Sequence, residues 1–328
     1  MLSFLATTIA AAALVTFATS ACTGLCLLAP ARWRASFSAA ARARALLGLC
    51  LAPLLTGALV MTAALAPSFG WIADHCLGVG DIHAQAHPHI CEHHVDALPA
   101  LSLLAFAAAL LTRIAQRTLG VGWTLARSAL IGVRLKGTTA AYASAHGELR
   151  VLPLREPQAF VLGYLRPTLF VTEGLLSPEH REHLAAVLAH EHAHMRRADP
   201  LRALIASAGL AFHLPWIASL LHDRLVRAQE MAADADAASA IGDRAQVASA
   251  LVHVARAQLC LPHAALAFAG SHVEQRVRGL LDERPLRDWP SGRALWLAFA
   301  LACTFVALHA DAVHHAVEQA LGLLGGQG

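Results

Sequence analysis

The sequence predicts a mainly α-helical, multi-span membrane protein with a smaller α+β domain inserted between its third and fourth membrane-spanning helices. Composition is the first indication: of 328 residues, 57% are hydrophobic and 14% are charged, against roughly 25% charged residues in an average soluble domain. Apolar runs are the second, because four of them approach the about 20 residues that a spanning helix needs. The third is an alternation of basic and non-basic connections between the runs.

The four apolar runs extend from the start of the chain nearly to its end. The first could be a cleaved signal peptide, since Ala18–Ala21 weakly resembles a cleavage site. No basic residue precedes it and it continues to Pro30, so we favour an uncleaved helix with its N-terminus outside. The third is short unless Arg113 snorkels to the interface. The runs are Phe4–Ala29, Ala45–Ala66, Leu98–Thr112 and Ala294–Leu308.

Basic residues predict the orientation. The first connection holds four arginines and no acid, which predicts the cytoplasmic side. The second, about 67–97, has no Lys or Arg and is expected outside, whereas basic residues return after the third run. We therefore expect three membrane helices and an outside loop in 1–115, a cytosolic domain in 116–292, and a fourth helix with a short outside tail in 293–328.

The pattern His-Glu-x-x-His at residues 190–194 is the strongest indication of a catalytic site in this sequence. On a helix, His190 and His194 lie one turn apart and can hold one Zn²⁺, while Glu191 can act as general base. The chain contains 20 histidines, so the surroundings must support the pattern. They do: Ser177-Pro178-Glu179 predicts a helix start, and Asp199-Pro200 predicts the helix end.

Strands are predicted at Glu148–Leu154 and Thr168–Thr172, with a turn at Gly163 and Pro167 between them. The second of these strands could be an edge that pairs with an extended peptide. The combination of short strands and a long helix predicts the α+β character of the inserted domain.

Glu230 is the candidate third ligand, 36 residues after His194. Asp234 lies one helical turn further on and can accept a proton from the outer nitrogen of a ligand histidine. The alternative is a solvated acidic helix face. The apolar stretch Ala203–Leu221 lies between the two halves of the site and has arginines at both ends. It is therefore expected to be buried, re-entrant or interfacial, with a bend near Pro215, rather than a full span.

These residues carry a family resemblance. The runs 159–167, 187–199 and 230–234 resemble BlaR/MecR-type membrane metallopeptidases and, more distantly, HtpX-type membrane proteases. The resemblance implies a gluzincin-like zinc peptidase in the inserted domain, with one catalytic Zn²⁺ held by His190, His194 and Glu230. It implies Glu191 as base, and we expect Asp234 and Asp199 to support the ligand histidines.

The resemblance also implies a location and partners. It implies a multi-pass protein of the bacterial inner membrane that cleaves itself, a cytoplasmic transcriptional repressor or a membrane protein. Membrane lipid and a second copy of the chain are further candidate partners, whereas a net charge of +3 is too small to predict direct nucleic-acid binding. The β-lactam sensors of this family carry a penicillin-binding domain after the last span. Here about 20 residues follow that span and no Ser-x-x-Lys motif occurs, so covalent β-lactam sensing is not expected.

The segment from Ser271 to Leu281 resembles the late arginine-containing helix of these peptidases. Arg276 could pair with an acid near the metal, stabilise the charge of the tetrahedral intermediate, or form a plain structural salt bridge. His272 could donate to the same oxyanion.

Six histidines crowd the predicted outside loop, together with Cys76 and Cys91. We expect either a sensor of metal or pH or a polar loop without function. The two cysteines could form a disulfide or add ligands. The histidines are His75, His83, His87, His89, His93 and His94.

Three functions follow from the sequence. The first is a signalling zinc endopeptidase, and the second is an HtpX-like quality-control protease. The third is a catalytically silent membrane metal sensor, against which Glu191 argues because a structural zinc site needs no base.

Overall fold

The computed structural model describes residues 2–28, 36–66, 69–71, 101–139, 141–144, 147–259, 266–282, 286–288 and 291–324, and within them it is mainly helical, as expected. The helices are α1 (Leu2–Leu27), α2 (Ala39–Ala64), α3 (Leu101–Thr138), α4 (Arg181–Arg197), α5 (Asp199–Leu210), α6 (Pro215–Ile241), α7 (Arg244–Leu259), α8 (Leu266–Leu281), α9 (Gly292–Leu308) and α10 (Ala310–Leu324). The strands are β1 (Ala141–Ser144), β2 (Gly147–Leu152), β3 (Ala159–Leu162) and β4 (Thr168–Thr172).

Two helices of the described chain are each long and apolar enough to cross a membrane, at Leu5–Leu27 and Ala39–Ala64. They correspond to the first two predicted runs. A third span is reached only if α9 and α10 are taken together, and these helices meet at a bend of 81°. The third predicted run begins α3, which continues for 38 residues to Thr138 and is not among these candidate spans. The structure thus supports a membrane protein with fewer clear spans than the sequence predicts.

The residues after the fourth predicted run form α10 and fold back onto the first two helices. Val317 and Leu321 pack with Ala10, Ala11 and Ala64 in one apolar cluster. The backbone carbonyl of Ala64 also lies 2.6 Å from Nδ1 of His314, a side chain with no exposed surface. The predicted tail is therefore an ordered helix that packs on α1 and α2.

The four strands form one sheet with the order β1-β2-β4-β3. β4 pairs in parallel with β2 and antiparallel with β3, and all five of its residues are buried. The prediction that Thr168–Thr172 is an edge strand is therefore wrong, because both of its edges already carry a hydrogen-bonded neighbour. The described edges are β1 and β3.

The sheet packs on α4, the helix that carries His190 and His194. Leu169, Val171 and Leu175 form a buried cluster that also contacts Leu184 and Val187 of α4. A 3₁₀ turn over Pro178–His180 precedes this helix, so the predicted start at Ser177-Pro178 is correct to within one turn. Burial of about three branched side chains of this kind stabilises the contact by several kcal/mol, and this contact fixes the orientation of α4.

The apolar stretch between the two halves of the site forms the corner between α5 and α6. α5 ends at Leu210 and α6 begins at Pro215, which confirms the predicted bend. Both helices pack on α2, and the approach is close at Gly209, where an added Cβ would lie 2.5 Å from the carbonyl oxygen of Cys50. The corner is thus attached to the candidate membrane helices.

A buried histidine connects this corner to α1 and α2. Nε2 of His213 lies 3.1 Å from the carbonyl oxygen of Leu49, and Nδ1 lies 3.2 Å from Oγ of Ser20. Because a carbonyl can only accept, Nε2 is the protonated nitrogen and Nδ1 accepts from the serine hydroxyl. Oγ of Ser20 also accepts a hydrogen bond from the backbone N–H of Leu214 at 3.0 Å. The polar groups of the corner are therefore satisfied inside an apolar contact.

Candidate metal centre

Helix α4 places the two motif histidines on one face. Nε2 of His190 and Nε2 of His194 lie 3.1 Å apart, and the two rings are nearly perpendicular, at 86°. The helix ends at Ala198, a non-glycine residue in the left-handed conformation with φ of 52°. That conformation costs about 1 kcal/mol. Ala198 caps both helices, so α5 begins at Asp199 directly after α4 ends.

Glu230 on α6 completes a group of three donors. Its Oε2 lies 3.6 Å from Nε2 of His190, and its Oε1 lies 3.5 Å from Nε2 of His194. The three ligand atoms all lie within 4.8 Å of one another, and no other group of three such donors meets this criterion in the described part of the chain. The predicted convergence of His190, His194 and Glu230 is therefore present in the structure.

A carboxylate lies behind each histidine. Oδ1 of Asp234 is 2.9 Å from Nδ1 of His190, and Oδ2 of Asp199 is 2.9 Å from Nδ1 of His194. The contact of Asp199 with His194 is a hydrogen bond, which keeps the proton of His194 on Nδ1 and leaves the Nε2 lone pair directed towards the centre. Asp234 lies at ion-pair distance from His190. Two imidazole nitrogens and one carboxylate are the donor set of catalytic zinc sites, so these residues fit a metal ion of that class.

Arg276 on α8 connects the acids of the centre. Its Nε donates to Oδ2 of Asp234 at 2.7 Å, and its Nη2 donates to Oδ1 of the same carboxylate at 2.7 Å. The two hydrogen bonds form a bidentate pair. The other terminal nitrogen of Arg276, Nη1, lies 3.0 Å from Oε2 of Glu230. The predicted pairing of Arg276 with an acid near the metal is present, while its role towards a reaction intermediate stays a prediction.

Burial and charge shift the pKa values of the centre in different directions. Burial raises the pKa of Glu191. Burial also opposes ionisation of Glu230 and Asp234, but His190 and Arg276 lower the pKa of each to about 2. Burial favours the neutral ring of His190, yet the neighbouring carboxylates raise its pKa to about 9. Glu191 is therefore the one carboxyl of these three whose proton affinity is increased, as a proton carrier requires.

The centre borders a cavity of about 390 Å³. Glu191 lines the cavity together with His190, Glu230 and Arg276. Most of the remaining lining is apolar and comes from the sheet, from α4 and from α7, so a few polar groups lie among apolar walls, as expected for a small binding site. The apolar lining includes Leu175, Val187, Val247, Leu251 and Val254.

The edge strand β3 borders the same cavity. Ala159 and Phe160 line it, together with Pro157 and Gln158 just before the strand. Because β3 pairs with β4 on one side only, its other backbone edge is unpaired within the described sheet. The sequence-based prediction thus chose the wrong strand, but an edge does lie beside the candidate centre.

Two features of the site were not predicted from the sequence. The residues of β3 were used only as part of the run 159–167 that resembles the peptidase family, although Phe160 and Val161 favour a strand. The wall formed by α7 was also missed, although Val247, Leu251 and Val254 have the four-and-three spacing of one helix face.

Several predicted residues cannot be placed. The side chain of His272 lies outside the described part of α8, so its predicted contact with an oxyanion is untested. The loop with Cys76 and Cys91 also falls outside the described residues, together with His75, His83, His87, His89, His93 and His94.

Asp199→Asn is expected to weaken Zn²⁺ binding by about 10- to 100-fold, because the neutral amide no longer polarises the imidazole of His194. The affinity would be measured by competition with a chromophoric chelator. Asp236→Asn is the matched control, since Asp236 lies 3.6 Å from Arg197, which also contacts Asp199, but its side chain is 40% exposed and contacts no ligand histidine. Equal Zn²⁺ affinities for the two variants would show that Asp199 does not support a ligand.

A comparison with known protein families agrees with this geometry. Residues 138–284 match the model of peptidase family M48, a segment that contains the three candidate ligands, Glu191 and Arg276. The match supports a metallopeptidase of the M48 family. No curated protein and no solved structure matches the chain.

Proposed function

We propose that this protein is a membrane-anchored, zinc-dependent endopeptidase that cleaves extended segments of protein substrates. The convergence of His190, His194 and Glu230 beside a cavity is the observation that carries the proposal. The match of residues 138–284 to a metallopeptidase family supports it independently.

Each residue of the centre has a distinct role in this proposal. His190, His194 and Glu230 hold the cation, which when bound supplies a Lewis acid to polarise the scissile carbonyl and the attacking water. Glu191 accepts a proton from that water and later donates it to the leaving nitrogen, which its raised pKa favours. Arg276 positions Glu230 and Asp234 through direct ion pairs.

The substrate segment would bind along β3. An extended peptide can add to the unpaired edge of this strand through backbone hydrogen bonds. Its side chains would then alternate, and one set would point into the apolar cavity between α4 and α7. Binding of this kind straightens the chain beside Glu191, which is what hydrolysis of an internal peptide bond requires.

Within this activity, a signalling role is our preferred proposal, in which the protease cleaves itself or a cytoplasmic repressor. Its support is the sequence resemblance of the motif blocks and the presence of two candidate membrane helices before the catalytic segment, with the bent pair α9 and α10 after it. The histidines of the second connection would provide the input from outside. A quality-control protease is the alternative, and it would digest many unfolded membrane proteins rather than one partner.

Removal of the metal is expected to abolish cleavage of an unfolded test protein such as casein by the full chain in detergent micelles. Restoration is expected with Zn²⁺ but not with Mg²⁺ or Ca²⁺, because the latter prefer oxygen ligands to imidazole. Cleavage would be followed by gel electrophoresis after dialysis against a chelator. The metal content of the dialysed protein would be measured as well. Full activity at a content below about one tenth of an ion per chain would overturn the proposal.

A further inference from the structure

A second histidine cluster lies where the start of α4 meets α7. Nδ1 of His180 is 2.6 Å from Nε2 of His253. The ring of His183, one turn further along the chain, faces the ring of His253 with centroids 4.3 Å apart. None of these residues contributes to the centre at His190, which lies two turns along α4 from His183, or about 10 Å.

This cluster is open to small solutes. His183 and His253 line a shallow cavity of about 450 Å³ together with Ser249 and Arg256. Nδ1 of His183 is buried and has no hydrogen-bond partner. Leaving a buried polar atom without a partner costs about 1–3 kcal/mol, so this nitrogen would gain stability from a ligand.

We propose that His180, His183 and His253 form a second metal site, for a divalent cation that prefers imidazole, such as Zn²⁺, Cu²⁺ or Ni²⁺. Neutral imidazole nitrogens are suitable ligands for these three ions. Nδ1 of His180 and Nε2 of His253 are already in contact, and the ring of His183 lies against that of His253. The three rings do not form a closed ligand group without a cation, so binding requires a change in the side-chain angles of His183 and a small separation of the other two rings. The nearby charges of Glu182 and Arg256 have opposite signs, so they neither attract nor repel a cation strongly.

An ion at this site would connect α7 to the helix that holds the first centre. α7 supplies Val247, Leu251 and Val254 to the wall of the substrate cavity. A cation bridging His180 and His253 would therefore restrict the movement of that wall relative to α4. The second site would act on the width of the cavity without contact with the reacting atoms.

The test measures the number of Zn²⁺ ions bound by the full chain in detergent micelles, by equilibrium dialysis and elemental analysis. His180→Gln and His253→Gln are each expected to bind one ion fewer than the unchanged protein. Amide hydrogen exchange in residues 244–259 gives a local readout. With Zn²⁺ at ten times its dissociation constant, exchange of these amides should slow by about tenfold in the unchanged protein, and this protection should be lost in both variants.

His222→Gln is the matched control, because His222 is an exposed histidine on α6. It should keep both the ion and the protection of α7. The proposal is overturned if both His180→Gln and His253→Gln keep the same number of ions and the same protection as this control. Loss of an ion in Glu230→Gln but in neither His180→Gln nor His253→Gln would support the first centre and exclude the second, so the two proposals are tested separately.

Discussion

Replacement of Glu191 by glutamine is expected to lower kcat/KM for peptide hydrolysis by about a thousandfold. A general base contributes roughly 10²- to 10⁴-fold to catalysis, and glutamine preserves the shape of the side chain but cannot accept the proton. Glu191 is partly buried and lines the cavity, and burial raises its pKa. The other two carboxyls of the centre that line the cavity, Glu230 and Asp234, have lowered pKa values and are poorer proton acceptors. The rate would be measured with a fluorogenic peptide and the full chain in detergent.

Two comparisons make this result specific. Glu191→Gln should still bind Zn²⁺, because Glu191 is not one of the three convergent donors. Glu179→Gln should retain full activity, since Glu179 is an exposed acid in the turn before α4. Unchanged hydrolysis by Glu191→Gln would rule out the assigned base, whereas loss of activity together with loss of zinc would indicate a structural role.

Replacement of Glu230 by glutamine is expected to weaken Zn²⁺ binding by more than about 100-fold, beyond the effect of changing a supporting residue. The change removes the only anionic donor of the group and leaves two neutral imidazoles. It also removes the 3.0 Å ion pair that holds this side chain against Arg276. Activity at a fixed Zn²⁺ concentration should fall accordingly, and excess Zn²⁺ should restore part of it.

Glu274→Gln is the matched control, because Glu274 also pairs with an arginine, at 2.6 Å from Arg278, but on the exposed face of α8. It should leave zinc affinity and activity unchanged. If Glu230→Gln retains the zinc content and activity of this control, Glu230 is not the third ligand and the gluzincin-like assignment is wrong.

The local parts of the site were predictable from the sequence. His190 and His194 must share a face if the segment is helical, and Asp199-Pro200 correctly predicted where that helix ends. Glu230 was predictable as a candidate because Asp234 follows it by one turn and metal sites need acids behind their ligand histidines. Each of these inferences depends on the spacing of residues within one helix, and this spacing can be read directly from the sequence.

Features that depend on contacts between distant segments were not predictable. Arg276 reaches Asp234 across 42 residues, so the sequence left a structural salt bridge and a catalytic role equally open. Thr168–Thr172 was read as an edge, although an apolar run without alternation is more typical of a central strand. Whether a strand lies at the edge of a sheet depends on which strands pair with it, and the residues of a short strand do not determine its partners.

The membrane part shows the same limit. The apolar runs at Ala45–Ala66 and near the N-terminus are long helices, because their hydrophobicity is continuous. The continuation of α3 to Thr138 and the bend of 81° between α9 and α10 are not indicated by the apolar runs. Hydropathy alone thus counts apolar runs but does not give the lengths or directions of the helices.

Helix α6 makes the metal centre sensitive to the distance between two parts of the molecule. The helix has 27 residues and is about 40 Å long. Its first turns pack with the corner at His213 against α1 and α2, and its middle carries Glu230 and Asp234, whereas both ligand histidines belong to α4. A coordination sphere tolerates errors of only about 0.2 Å. A sliding of α6 against α4 by a fraction of its 1.5 Å rise per residue would therefore be enough to assemble or dismantle the ligand set.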